Sequence, residues 1–147
     1  MNAALHRLPM LPSTAPEAEA PRSVYLDAYL APFQPWLERE TVTEILVNGP
    51  GELWVEDAAQ PGMQRVLLPE LTDHLLQRLA EQVARVSHQG INREHPLLAA
   101  TLPGGARIQL CGPPATRRHW AMAIRRHRLL DLPLDAQCAG HKVAIGK

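Results

Sequence analysis

Aromatic residues make up only 4% of this chain, so any core must be built mostly from Leu, Val, Ile and Ala. Cysteine is nearly absent. Cys111 and Cys138 stand alone, with no second Cys or His at metal-ligand spacing, which argues against a zinc site and reads as reduced thiols in a cytoplasmic protein. No stretch approaches the roughly 20 apolar residues of a membrane span. Met1 to Pro12 lacks a basic region followed by an apolar block, so it does not read as a secretory signal. Catalytic signatures are missing too. The seven histidines form no paired-ligand or triad pattern, and there is no Gly-x-Ser-x-Gly elbow. Gly140-His-Lys-Val-Ala-Ile-Gly-Lys147 superficially resembles a phosphate loop. However, five residues rather than four separate its glycines and no hydroxyl follows, so successive amides would not converge on a phosphate.

What is present has globular proportions. Hydrophobic residues account for 46% of the 147 positions and charged ones for 20%, values that fit one domain with its own core. The formal net charge is zero but unevenly spread. Met1 to Ala106 carries 7 Lys/Arg against 13 Asp/Glu, and Arg107 to Lys147 carries 8 against 2. A basic carboxy-terminal part implies either an anionic partner or pairing with the acidic part inside the fold.

Residues 1–22 include a proline-rich stretch that keeps the backbone extended and buries little, and they are expected to be a disordered leader. Ser23 then offers a cap to a helix whose Leu26, Tyr29, Leu30 and Phe33 share one face. Pro32 and Pro35 interrupt it and carry Trp36 and Leu37 into a second turn. Thr41 to Asn48 and Leu53 to Glu56 read as strands joined through Asn48-Gly-Pro-Gly51, with Arg65 to Leu68 as a third. Thr72 caps the clearest helix, with Leu75, Leu76, Leu79, Val83 and Val86 along one stripe and Gly90 as its stop. Leu97 to Leu102, Ala106 to Leu110 and Ala121 to Arg126 are three further strands, the first two joined by the Pro103-Gly-Gly105 turn. Because local hairpins suffice, the expected class is α+β: a mainly antiparallel sheet of about six strands, with an N-terminal helix and one long amphipathic helix packed on it.

Arginine carries the strongest local chemistry. Arg107 opens one strand and Arg125 and Arg126 close its neighbour, so guanidiniums from adjacent strands could converge into a planar, permanently charged clamp for phosphate oxygens. Strand alternation sends Arg125 and Arg126 to opposite faces, leaving only one for a given ligand. The alternative is surface arginines paired with Glu52, Glu56 or solvent. Glu44, in an otherwise apolar strand, calls for an edge position or an arginine partner. A nucleic-acid surface from Arg117, Arg118, Arg125, Arg126 and Arg128 with Trp120 is disfavoured, since alternation splits the arginines between faces and no second exposed aromatic accompanies Trp120.

Thr41-Val-Thr-Glu-Ile-Leu-Val-Asn-Gly-Pro-Gly-Glu-Leu-Trp-Val-Glu56, the amphipathic helix, Leu102-Pro-Gly-Gly-Ala-Arg-Ile-Gln109, Pro113-Pro114 and Ile124-Arg-Arg126 occur in one order. From about Tyr25 to Arg126 the chain resembles the amino-terminal domain of the hexameric traffic ATPases of type IV secretion. The resemblance implies a domain over residues 23–128, with 129–147 a tail or the start of a linker, and a RecA-like catalytic domain that is not in this sequence. It implies a homo-hexameric ring on the cytoplasmic face of the bacterial inner membrane. Its partners would be other secretion ATPases and inner-membrane components, with peripheral membrane contact. It also implies ATP and Mg²⁺ as ligands of the intact protein only, with Arg107 and Arg125 or Arg126 reaching the phosphates. After His127 the sequence leaves the family pattern, so a truncated piece, a gene fragment and a free-standing adaptor that binds a protein or an anion all remain open. Alone, the chain is expected not to hydrolyse ATP.

Overall fold

The structure, a computed structural model, describes residues 23–127. The expected leader and the tail from residue 128 onward lie outside the described residues, as does Cys138.

Chain order is α1 (Val24–Leu30), a 3₁₀ turn (Ala31–Phe33), α2 (Gln34–Leu37), β1 (Val42–Val47), β2 (Glu52–Asp57), β3 (Met63–Leu67), α3 (Asp73–Val86), β4 (Leu97–Thr101), β5 (Arg107–Cys111) and β6 (Ala121–Arg125). The strands form one sheet in the order β3-β2-β1-β6-β5-β4, every neighbouring pair antiparallel. This is the expected α+β arrangement. Two three-stranded meanders are joined at the centre by β1 and β6, the one pairing that no local hairpin could supply.

Proline placement explains the opening helical segment. Pro32 falls in the 3₁₀ turn and Pro35 in the first turn of α2, where a missing amide donor costs least. Leu26, Leu30 and Phe33 therefore stay on one buried face across the break. Ser23 is the N-cap residue of α1 by position, but its side chain makes no capping bond. Thr72 does cap α3, its hydroxyl accepting from the Leu75 amide at 3.1 Å. The helix stops before Gly90. Ser87 Oγ donates to the Val83 carbonyl at 2.6 Å, and His88, not a glycine, takes the positive φ of 55°. The hydrogen-bonding Ser87 side chain and a left-handed His88 thus end the helix two residues earlier than the glycine signal predicts.

One face of the sheet is covered by α1 and α3 and the other is open. The covered face carries Ile108, Ile124, Ile45 and Val55 as one row across four strands and Leu98, Leu110, Met122, Val47 and Leu53 as the next. All of these are buried, together with Leu76, Leu79, Ala80 and Val83 of α3. Strand alternation fails at one place. Between Val42 and Glu44 the β1–β2 register shifts by one residue, so Val42 faces Asp57 and Glu44 faces Glu56. That bulge lets Val42 and Ile45, three apart, both point to the core, while regular alternation with buried Ile45 and Val47 keeps Glu44 on the open side. Asp57, 2% exposed, is the one buried charge among the described residues. Its Oδ2 accepts from Arg39 Nη2 at 2.8 Å and its Oδ1 from the Ala59 amide at 2.9 Å. These contacts tie the end of β2 to the connection between α2 and β1.

The hairpin between β4 and β5 closes as the Pro-Gly-Gly signal requires. Leu102 N–H bonds the Ala106 carbonyl at 2.7 Å, and Gly104 and Gly105 adopt φ of 94° and 89°, a conformation costly for residues with a Cβ. Gly112 serves another purpose. A Cβ there would lie 2.6 Å from the Trp120 ring, so the indole packs directly on bare backbone. Trp120 is half-buried against the core and is not a free stacking platform, which removes the aromatic element from the nucleic-acid reading.

Two stability outcomes follow from this packing. Leu79→Ala empties a fully buried site and is expected to cost about 2–5 kcal/mol by chemical denaturation. A midpoint equal to the parent's would show that α3 does not pack as described. Gly112→Ala pushes a methyl group into the Trp120 ring and is expected to cost about 1–3 kcal/mol, with a change in tryptophan emission marking the displaced indole.

Candidate anion site on the open sheet face

The open face is organised in rows set by strand register. One row runs Thr101, Arg107, Arg125, Glu44, Glu56 and Met63 across all six strands. It lies at the end of the sheet where β6 finishes and β5 begins, and Arg107 and Arg125 are direct cross-strand partners there. Like charges directly opposite one another are unfavourable, so this pair persists only because the rest of the row and solvent offset it.

Each arginine has a different status. Arg125 Nε donates to Glu44 Oε1 at 2.8 Å, the carboxylate being 17% exposed and the guanidinium 75%. The Glu44 hydrogen bond, then the charges of Glu44 and Glu56, raise Arg125 above the ordinary arginine value, and desolvation opposes them slightly. Arg126 lies one residue past the strand. Its amide bonds the Thr43 carbonyl at 3.0 Å, and its Nη1 donates to the Arg39 carbonyl at 2.6 Å, so part of its guanidinium is held by backbone. Arg107 is exposed, and its side chain makes no hydrogen bond or ion pair among the described residues.

The three guanidiniums line one concavity of about 550 Å³, together with Thr43, Glu44, Glu56, Gln109, Ala123 and His127. Alternation was expected to separate Arg125 from Arg126, but β6 ends at Arg125, and beyond a strand's last residue the two-residue period no longer binds. Both arginines reach the same hollow, and Arg126 also borders a second one beside the Pro103-Gly104 turn. The arginine partner expected for Glu44 is Arg125. Of the two acidic partners anticipated for surface arginines, Glu52 takes Arg65, while Glu56 accepts from the Thr43 hydroxyl at 3.0 Å. Sequence reasoning missed Thr43 and Gln109 as neighbours of the arginines and named Glu56 only as a possible ion-pair partner. The signal for them was the register across β2, β1, β6 and β5, which depends on tertiary pairing.

A second concavity, about 510 Å³, lies further along the same face and is lined by apolar side chains including Leu46, Leu97, Ala99, Ala121 and Ala123. No group of three or more His, Cys, Asp or Glu residues is arranged to hold a metal among the described residues. No helix of the described residues is long and apolar enough to cross a membrane.

Comparison with known proteins bears on the family and the fold. No family model matches the chain. It is 38% identical over 130 residues to the type IV secretion system protein PtlH of Bordetella pertussis, an alignment covering 80% of this chain and 38% of that protein. It is 37% identical over 99 residues to VirB11 of Brucella suis, covering 67% of this chain and 27% of VirB11. Among solved structures, the VirB11 ATPase of the Brucella suis type IV secretion system in complex with sulphate superposes with a TM-score of 0.73 at 33% identity. That match covers 80% of this chain and 37% of the ATPase. The chain belongs to this VirB11 family of type IV secretion proteins and corresponds to the amino-terminal portion of the ATPase. It spans about 38% of the length of the curated relative PtlH.

Because the Arg107 side chain is exposed and has no partner among the described residues, Arg107→Ala is expected to leave unfolding free energy within about 0.5 kcal/mol of the parent in urea titration. A clear loss of stability would assign Arg107 to the scaffold instead of the site.

Proposed function

We propose that this chain is the amino-terminal module of a type IV secretion ATPase and that Arg107 and Arg125 supply positive charge to an ATP site completed by a catalytic domain outside this sequence. The observation that carries the reading is the direct cross-strand placement of Arg107 and Arg125 at one hollow, with Arg107 unpaired among the described residues. Two guanidiniums on neighbouring strands present forked donors matched to phosphoryl oxygens. Their backbones are held on paired strands, so an anion is met by side-chain adjustment alone. A tetrahedral dianion between them would relieve their mutual repulsion, and that gain is available only while the anion is bound. Loss of a terminal phosphate would therefore restore the repulsion and favour domain opening, a route from nucleotide state to movement.

In the intact protein, Mg²⁺ would neutralise charge on the nucleotide phosphates. No group of three or more His, Cys, Asp or Glu residues is arranged to hold a metal among the described residues, and the reading takes the ligands for that ion to come from the remaining polypeptide. The same reading takes the functional unit to be a homo-hexameric ring on the cytoplasmic face of the inner membrane, working with other secretion ATPases and inner-membrane components.

The test pairs two measurements. In a full-length protein carrying both domains, Arg107→Ala is expected to weaken ATP affinity or turnover by roughly tenfold to a hundredfold while the melting temperature of the isolated domain stays unchanged. A destabilised domain with normal nucleotide kinetics would overturn the role. The 147-residue chain by itself is expected to release no phosphate from ATP above buffer. Release that survives repurification and scales with protein concentration would contradict the assignment of catalysis to a separate domain.

A further inference from the structure

We propose that Glu44 is a built-in placeholder for the anion, occupying Arg125 when the hollow is empty and giving it up when a phosphoryl group binds beside Arg107. This inference rests on the reading of the hollow as an anion site and adds a regulator to it.

Register with β2 and β6 places Glu44 in the same cross-sheet row as the two arginines. Ile45 and Val47 face the core, so alternation from them keeps Glu44 on the open face, away from an interior where an ionised carboxylate is costly. Once on the open face, it contacts Arg125 and not Arg107, although both arginines lie in its row. The contact uses one guanidinium proton, on Nε at 2.8 Å, and the donors on Nη1 and Nη2 make no hydrogen bond among the described residues. Exposure is lopsided: the carboxylate is 17% exposed and the guanidinium 75%. The strand therefore holds Glu44 in place, while Arg125 is the partner free to swing. Glu56, next in the row, accepts from the Thr43 hydroxyl and acts on Arg125 only through its charge, so Glu44 is the carboxylate in contact with Arg125 among the described residues. Arg107 is then the first contact for an incoming anion, and Arg125 joins only when the anion outcompetes a carboxylate. A terminal phosphoryl dianion can do so, whereas a monoanion of carboxylate strength gains little.

The experiment titrates the chain with inorganic tripolyphosphate by calorimetry, using the parent, Glu44→Gln, Glu44→Ala, Arg125→Ala, Arg107→Ala and the Glu44→Gln/Arg125→Ala double variant. Thermal melts verify that each is folded. The isosteric Gln keeps the packing, and the Ala variant gives a second reading if Gln perturbs the fold. Glu44→Gln is expected to tighten binding roughly twofold to fivefold, the scale of a partly exposed ion pair. In the Arg125→Ala background the same change is expected to have no effect, because Glu44 acts by engaging Arg125 and not by repelling the ligand through space. The Arg125 Nε proton resonance is expected to move on adding tripolyphosphate to the parent. Tightening that persists without Arg125 would overturn the placeholder role, as would Glu44 variants that bind no tighter than the parent while Arg107→Ala abolishes binding. That last combination leaves the anion site standing and removes only the role of Glu44. A folded parent that binds no tripolyphosphate would overturn both.

Discussion

The pairing of β1 with β6 decides which charges share a surface. Buried Ile45 and Val47 set the alternation of β1, so Glu44 lies on the open face, and the β1–β6 register brings it opposite Arg125, with which it pairs. A bulge between Val42 and Glu44 then lets Val42 reach the core as well. Because β1 and β6 join the two meanders, their register also sets how the arginine-bearing half lies against the acidic half.

The joint between the halves gives the uneven charge along the chain a structural meaning. The acidic excess before Ala106 and the basic excess after it meet at the β1–β6 pairing, where Glu44 faces Arg125. Arg126 reaches back to the Arg39 carbonyl, and Arg39 in turn holds buried Asp57. Most of the charge near this seam is therefore committed to the fold. Arg107 stands apart, since its row places it beside another arginine and its side chain makes no ion pair or hydrogen bond among the described residues. A half-neutralised arginine pair is a poor stabilising device and a good receptor for an anion.

The sheet also separates stability from function by face. Helices cover one side with aliphatic rows, so substitutions there act through cavities and overpacking. The open side carries the charged row at one end and an apolar hollow further along. Changes on this face can alter binding with little cost to folding, because their side chains contribute little to the core.

Sequence alone determined the elements and their class. Proline positions marked the broken first helix, Thr72 and the Leu76, Leu79 and Val83 stripe marked α3, and the Gly-rich turns marked the hairpins, because each of these signals acts within a few residues of itself. The same local logic singled out Arg107, Arg125 and Arg126 and called for an arginine near Glu44. It misplaced the end of α3, where a hydrogen-bonding Ser87 and a left-handed His88 replaced the glycine stop. It also separated Arg125 from Arg126 by a strand period that ends at Arg125. Tertiary structure alone decided that β1 pairs with β6, that a bulge turns Val42 inward beside Ile45, and that Arg107 lies opposite Arg125 with only Arg125 ion-paired among the described residues. Those outcomes depend on contacts between distant residues, such as Glu44 and Arg125, 81 positions apart, and on the burial of Val42 and Ile45 together, which no local pattern of spacing encodes.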